Sequence, residues 1–192
     1  PPDGLPPILY EDRDVVIADK PSGLLSVPGR THPDSAQTRL AKCRGTLYAV
    51  HRLDLDTSGA LAFATRRKAE RSLMLQFRAR TVHKVYLAWV AGQPPGSFVI
   101  DAPLARIPGI PRSRVSESGK PARTRGRCLS TQGGCSLVEL SPETGRSHQL
   151  RLHLAHLGHP FLGDRFYAPP AVCAAAPRLL LHAWRLGFDQ PH

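Results

Sequence analysis

The sequence predicts an α+β fold, on three observations. Short apolar runs bounded by turn residues are many, stretches with helical periodicity are few, and the two do not alternate as they would in a βαβ chain. The chain has 192 residues, enough to bury roughly 70% of the surface its unfolded form exposes, so a core forms without staples. No repeat, low-complexity tract or convincing linker divides it, and residues 1–192 read as a single domain.

Taken in order, Ile8 to Tyr10 and Val15 to Ala18 are predicted strands, joined by the turn-like run Glu11 to Asp14. Lys20-Pro21-Ser22-Gly23 and Val27-Pro28-Gly29 are rigid loop signals. Asp34 or Ser35 caps a short helix reaching Cys43. Tyr48 to Leu53 and Ala60 to Ala64 read as strands flanking a polar loop, Asp54 to Gly59. Thr65 is a candidate cap for a helix over Lys68 to Ala79, in which Ala69, Leu73 and Phe77 share one face. Val82 to Ala91 is β-rich and stops at Gly92. Pro94 to Lys120, rich in Pro, Gly, Ser and Arg, reads as an exposed basic excursion. Strands Ala122 to Ser130 and Ser136 to Leu140 follow, separated by Gly133-Gly134. A helix over Ser147 to Leu157 buries Leu150, Leu154 and Leu157, and Leu179 to Phe188 closes the chain as one or two strands.

Charge is the most informative part of the composition. Lys plus Arg number 26 against 15 Asp plus Glu, a net charge of +11. Only Lys20, Lys42, Lys68, Lys84 and Lys120 are lysines, and all other cations are arginines. The guanidinium fork suits phosphate and stacks on bases, so a polyanion is the expected partner and nucleic acid the default one. Codon bias can favour arginine over lysine but does not create the surplus of positive charge. The apolar runs are too short to span a bilayer, and no secretory signal is seen. The four cysteines form no C-x-x-C pair and read as reduced thiols of a cytoplasmic protein.

Two polar clusters stand out. The first is His51-Arg52-Leu53-Asp54-Leu55-Asp56-Thr57-Ser58-Gly59, a carboxylate between a strand and a Ser-Gly turn. On spacing alone, Asp54 or Asp56 can equally close an Asx-type turn. The second, Thr144 to Arg151, sets Arg146 where a helix begins, a position suited to a carboxylate or a phosphate. An arginine partner would keep a catalytic aspartate ionised. His148, His153, His156 and His159 bunch on this helix and its exit, yet their spacing does not suit a metal, and core or phosphate-facing roles are expected. No phosphate loop or G-x-G-x-x-G is present, so neither a metal nor a nucleotide cofactor is expected.

The first cluster resembles the H-R-L-D-x-x-T-S-G signature of the RluA-type pseudouridine synthases. Four further blocks support the resemblance in the family's order: Lys20 to Leu24, Lys84 to Gly92, Thr144 to Asp164, and Arg178 to Ala183. It covers about residues 8 to 188 and implies the family's fold, a mixed, largely antiparallel central sheet with helices and loops flanking an active-site cleft. It also implies an isomerase that needs no cofactor. By position, Asp54 matches the catalytic aspartate, Arg146 its arginine partner, and Tyr86 the tyrosine that stacks on the target uracil. Arg52 matches an arginine entering the RNA where the uridine leaves its stack, and Lys84 and Arg165 are further expected RNA contacts. The resemblance also implies that Leu180 or Leu181 lies under the base. The segments Leu24 to Arg30, Glu117 to Ala122 and Asp164 to Ala168 look most like the family's dual-specificity members, which act on a 23S rRNA uridine and on uridine 32 of the tRNA anticodon loop. The larger members carry an N-terminal S4 RNA-binding domain, for which there is no room before Lys20. No protein partner is expected. The competing readings are a non-catalytic RNA-binding module of the same fold, a synthase for another uridine, and, weakly, a hydrolase using Asp54 and Asp56 as a carboxylate pair.

Overall fold

The structure, a computed structural model, describes residues 4–110 and 112–191. They fall into two compact units, one comprising the chain up to Lys84 and from Ala183 onward, the other Val85–His182. The α+β class holds, and seven of the strand pairings are antiparallel.

The first unit contains β1 (Ile8–Glu11), β2 (Val15–Lys20), α1 (Ala36–Arg44), β3 (Tyr48–Ala49), β4 (Ser58–Ala64) and α2 (Arg67–Ala79). It also holds the first residues of β5 (His83–Ala91) and the later ones of β11 (Leu181–Gly187). Its strands run in the order β1-β2-β4-β11, with β3 also on β4. Every residue of β4 is buried, which fits its unbroken run of small and apolar side chains. Gly59 on that strand is required: its φ is +113°, and a Cβ there would sit 2.3 Å from the Ala183 carbonyl oxygen of β11. Val15, Val50, Ala62, Ala64, Ala69 and Leu73 form the core, with Phe77, Leu186 and Phe188 packed against it.

Two local expectations change here. Helix α1 is capped by Ser35 as expected, in a reciprocal box with Thr38. Helix α2, however, starts at Arg67 without a side-chain cap. The Thr65 hydroxyl instead donates to the Arg13 carbonyl at 2.6 Å, while Arg66 is drawn into an ion pair with Asp14. The strand expected over Tyr48 to Leu53 ends at Ala49. Beyond it the His51 imidazole Nε2, not a backbone carbonyl, accepts the Ala62 N–H at 3.0 Å, so the chain can peel off β4.

The second unit holds the remainder of β5, then β6 (Ser97–Asp101), β7 (Leu104–Arg106), β8 (Ser113–Val115), β9 (Arg123–Gln132), β10 (Cys135–Pro142), α3 (Gln149–His156) and α4 (Pro170–Ala174). Its strand order is β5-β10-β9-β6, with β7 and β8 as a separate hairpin. The core gathers Ala88 and Val90 of β5, Phe98 and Ile100 of β6, Val138 and Leu140 of β10, and Leu150 and Leu154 of α3. The expected exposed excursion from Pro94 to Lys120 is therefore corrected. Its first part is an edge strand whose alternate residues Phe98 and Ile100 are buried, and Ala102 and Leu104 are buried after it. The β7–β8 hairpin carries the exposed arginines of the segment, Arg106, Arg112 and Arg114. The Pro and Gly content of the segment masked a period-two pattern of just two side chains. Among the described residues, no helix is long and apolar enough to cross a membrane.

Candidate active site

In the first unit, the loop carrying Asp54 has almost no secondary structure, and its shape comes from another stretch of chain. The Ser26 hydroxyl donates to the Leu53 carbonyl at 2.8 Å and accepts the Leu53 N–H at 2.9 Å. The Leu55 carbonyl accepts the Gly23 N–H, and the Asp56 carbonyl accepts the Ser22 hydroxyl at 2.8 Å. Leu53 and Thr57 are buried on either side. Backbone groups removed from water must find partners, and residues 20–26 supply them. Asp54 thus sits between two pinned residues with its side chain half-buried, while Arg52 is exposed beside it.

Lys20, at the end of β2, anchors this arrangement and was not foreseen as a site residue. Its side chain is fully buried, and the ammonium donates to the carbonyls of Pro21 (2.9 Å), Leu24 (2.6 Å) and Leu55 (3.0 Å). Burial pulls its pKa down to about 8, and the Asp56 and Asp54 carboxylates oppose that fall. The ammonium remains charged at neutral pH and offers the Asp54 loop a fixed positive neighbour. His51, stacked on Phe77 with centroids 4.8 Å apart, is held neutral with its pKa lowered to about 3, chiefly by burial and secondarily by the charge of Lys84. Lys84 is half-buried, and desolvation with the neighbouring Arg80 lowers its own pKa.

In the second unit, Arg146 lies in the turn before α3, not on the helix itself: the helix begins at Gln149, behind a left-handed His148 with φ +55°. Gln149 determines the path of that turn. Its carbonyl oxygen accepts the Thr144 hydroxyl at 2.7 Å and the Arg146 N–H at 3.0 Å, and its amide donates to the Arg123 carbonyl and the Thr124 hydroxyl, both at 3.0 Å. Every polar group of this buried amide is used, so the backbone at Arg146 is fixed in place. The Arg146 side chain donates to the Pro121 carbonyl at 3.1 Å and is half-exposed. Gln149 too was missed. The available signal was a polar residue at the start of the leucine stripe of a buried helix.

Tyr86 stands on β5 opposite Leu140, half-buried, its ring against the core. Leu181 is committed to that core at 3% exposure, whereas Leu180 is half-buried. Arg165 is exposed in the turn after Asp164. The clustered histidines are divided among separate tasks. His153 is buried between the Thr124 hydroxyl (2.8 Å) and the Ala102 carbonyl (3.0 Å), His148 meets the Tyr167 hydroxyl at 2.8 Å, and His159 meets the Ala91 carbonyl at 2.9 Å.

The sequence profile of RNA pseudouridylate synthases matches residues 14–156. The chain belongs to the RNA pseudouridylate synthase family. It is 48% identical over 190 residues to the dual-specificity RNA pseudouridine synthase RluA of Escherichia coli (strain K12), covering 96% of this chain and 87% of that protein. To the protein of the same name from Yersinia pestis it is 46% identical, over 96% of this chain and 92% of the other. Among solved structures, human RNA pseudouridylate synthase domain containing 1 superposes with a TM-score of 0.83 at 30% identity, covering 93% of this chain and 76% of that one. As a pseudouridine synthase the chain is an isomerase whose substrate is uridine within RNA.

Proposed function

We propose that this synthase acts on two kinds of RNA, a 23S rRNA uridine and uridine 32 of the tRNA anticodon loop, with Asp54 as its catalytic carboxylate. In this reading the whole 192-residue chain works as one catalytic domain in the cytoplasm. Support for dual specificity comes from relatives at 46–48% identity that carry that description in their names. The observation that carries the choice of Asp54 is its loop, in which both neighbouring residues are bonded through their backbone to residues 20–26. A half-buried carboxylate in so rigid a loop can be held against one atom of a substrate without reorganising.

The reaction breaks the bond between uracil N1 and ribose C1′, turns the base, and joins C5 to C1′. The C5 hydrogen leaves as a proton and N1 regains one, so atoms balance without a cofactor. The base must first leave its stack, at roughly a few kcal/mol. Stacking on an aromatic ring returns about 1–3 kcal/mol, the role proposed for Tyr86. Arg146 is proposed to keep the carboxylate ionised through the reaction, and Arg52, Lys84 and Arg165 to contact the RNA around the extruded nucleotide.

The test is tritium release from RNA labelled at uridine C5. Asp54→Asn should release no more than a trace of the wild-type amount while binding tRNA with unchanged affinity, since phosphate contacts supply most nucleic-acid affinity. Appreciable turnover by this variant would remove Asp54 from the chemistry.

A further inference from the structure

A groove of about 380 Å³ opens in the second unit between the β7–β8 hairpin, α3 and the turn that follows Asp164. That volume lies within the roughly 300–1,000 Å³ of pockets that take small organic groups. Its floor is apolar, with Ile107, Val115 and Leu152, and its rim carries the two cations Arg112 and Arg114 beside His156. No carboxylate lines it among the described residues. The Arg112 guanidinium lies over the Phe166 ring at 4.8 Å, so the side chain is already ordered in a stacked position. The seat is also tied to the arginine turn described above. The Tyr167 hydroxyl on its wall accepts the Ser113 N–H of β8 at 3.1 Å and pairs with His148 Nδ1 at 2.8 Å, two residues from Arg146.

An apolar floor under a pair of arginines, with no carboxylate among the described lining residues, matches one chemical class: a base or ribose below, its phosphate above. We propose that this groove seats one nucleotide of the substrate RNA outside the target uridine, with Arg112 and Arg114 on its phosphate. The assignment rests on the reading of the chain as an RNA-acting synthase and extends it to a second point of attachment on the RNA. Linkage through Tyr167 keeps that nucleotide in fixed register with the turn bearing Arg146.

The test uses the full chain with Arg112→Gln and Arg114→Gln together, and a control double variant, Lys42→Gln with Arg78→Gln, that removes the same charge outside the groove. Binding of an unmodified tRNA transcript is followed by fluorescence anisotropy across a salt series. Each phosphate that the protein no longer neutralises should flatten the slope of log affinity against log salt by about 0.7–0.9. The groove variant is expected to flatten the slope by the equivalent of about one to two phosphates and to bind at least about tenfold more weakly at low salt, and the control to retain the wild-type slope. Equal slopes for the two variants, or an unchanged slope for the groove variant, would overturn the proposal. Tritium release by the wild-type protein is measured alongside: its absence would count against the synthase reading, whereas its presence with unchanged binding by the groove variant would count against the groove alone.

Discussion

His51 shows how a single side chain sets the geometry of the Asp54 loop. By accepting the Ala62 N–H it does the work of a strand carbonyl at the point where β3 leaves the sheet. The ring can do this only while Nε2 is unprotonated, and its folded-state pKa, about 3, lies below the usual 6.5. For a group depressed in this direction, the unfolded chain binds the proton more tightly. The stabilisation is therefore complete above pH 6.5 and is lost as the pH falls from there toward 3. At about 1.4 kcal/mol per pH unit, the loss at pH 5 should approach about 2 kcal/mol. His51→Gln keeps an acceptor that does not titrate. Thermal melts at about pH 7 and about pH 5 should show the wild type losing more than the Gln variant, and parallel losses would show that His51 protonation is not involved. The family signature placed His51 and Asp54 in one block, but the reason they belong together lies in a bond to β4, invisible to spacing. The same holds for Lys20, whose neighbours Pro21 and Gly23 read as a loop while its buried ammonium holds that loop to the Asp54 backbone.

Among the elements, α3 departs furthest from what its pattern implies. The leucine stripe correctly gives its buried face, with Leu150 and Leu154 in the core. Yet Arg151 and His153 are also buried, because partners far along the chain satisfy them. Arg151 makes a two-pronged pair with Asp164, at 2.8 and 2.5 Å, with side-chain exposures of 2% and 0%. Asp164 also accepts the Phe166 and Tyr167 N–H groups and so fixes the turn on which both rings stand. No periodicity argument can find such a pair, since an arginine on a helix is read as solvated until its carboxylate is in view. Removing one partner of a buried pair leaves the other uncompensated, at about 3–5 kcal/mol. For a chain of this size each kcal/mol shifts the melting temperature by about 2–4 °C. Asp164→Ala should therefore melt roughly 10 °C below wild type in differential scanning calorimetry, and a melting temperature within about 2 °C of wild type would show that the pair contributes little.

Across the whole molecule the arginines divide between those in ion pairs and those exposed to solvent. Several of them are spent internally: those on β9 bridge to Glu139 and Glu143, and Arg151 is buried with Asp164. The net +11 is then expressed through exposed cations such as Arg52, Arg112, Arg114 and Arg165. RNA recognised this way is held by its backbone and by splayed bases rather than by a readable groove, which suits a loop that can be remodelled around one extruded uridine. A seat for one additional nucleotide needs only a few neighbouring residues of RNA, not a distant helix. An isolated anticodon stem-loop containing uridine 32 should therefore be modified at a rate within about threefold of whole tRNA under single-turnover conditions, with saturating enzyme and tritium release as the measure. The expected cost of removing the rest of the tRNA is a modest weakening of binding with a flatter salt dependence, because the phosphates removed are those at the periphery. A stem-loop left unmodified beside a fully modified tRNA would show that recognition extends to the tRNA body, and the contacts proposed around the extruded nucleotide would then be insufficient for substrate choice.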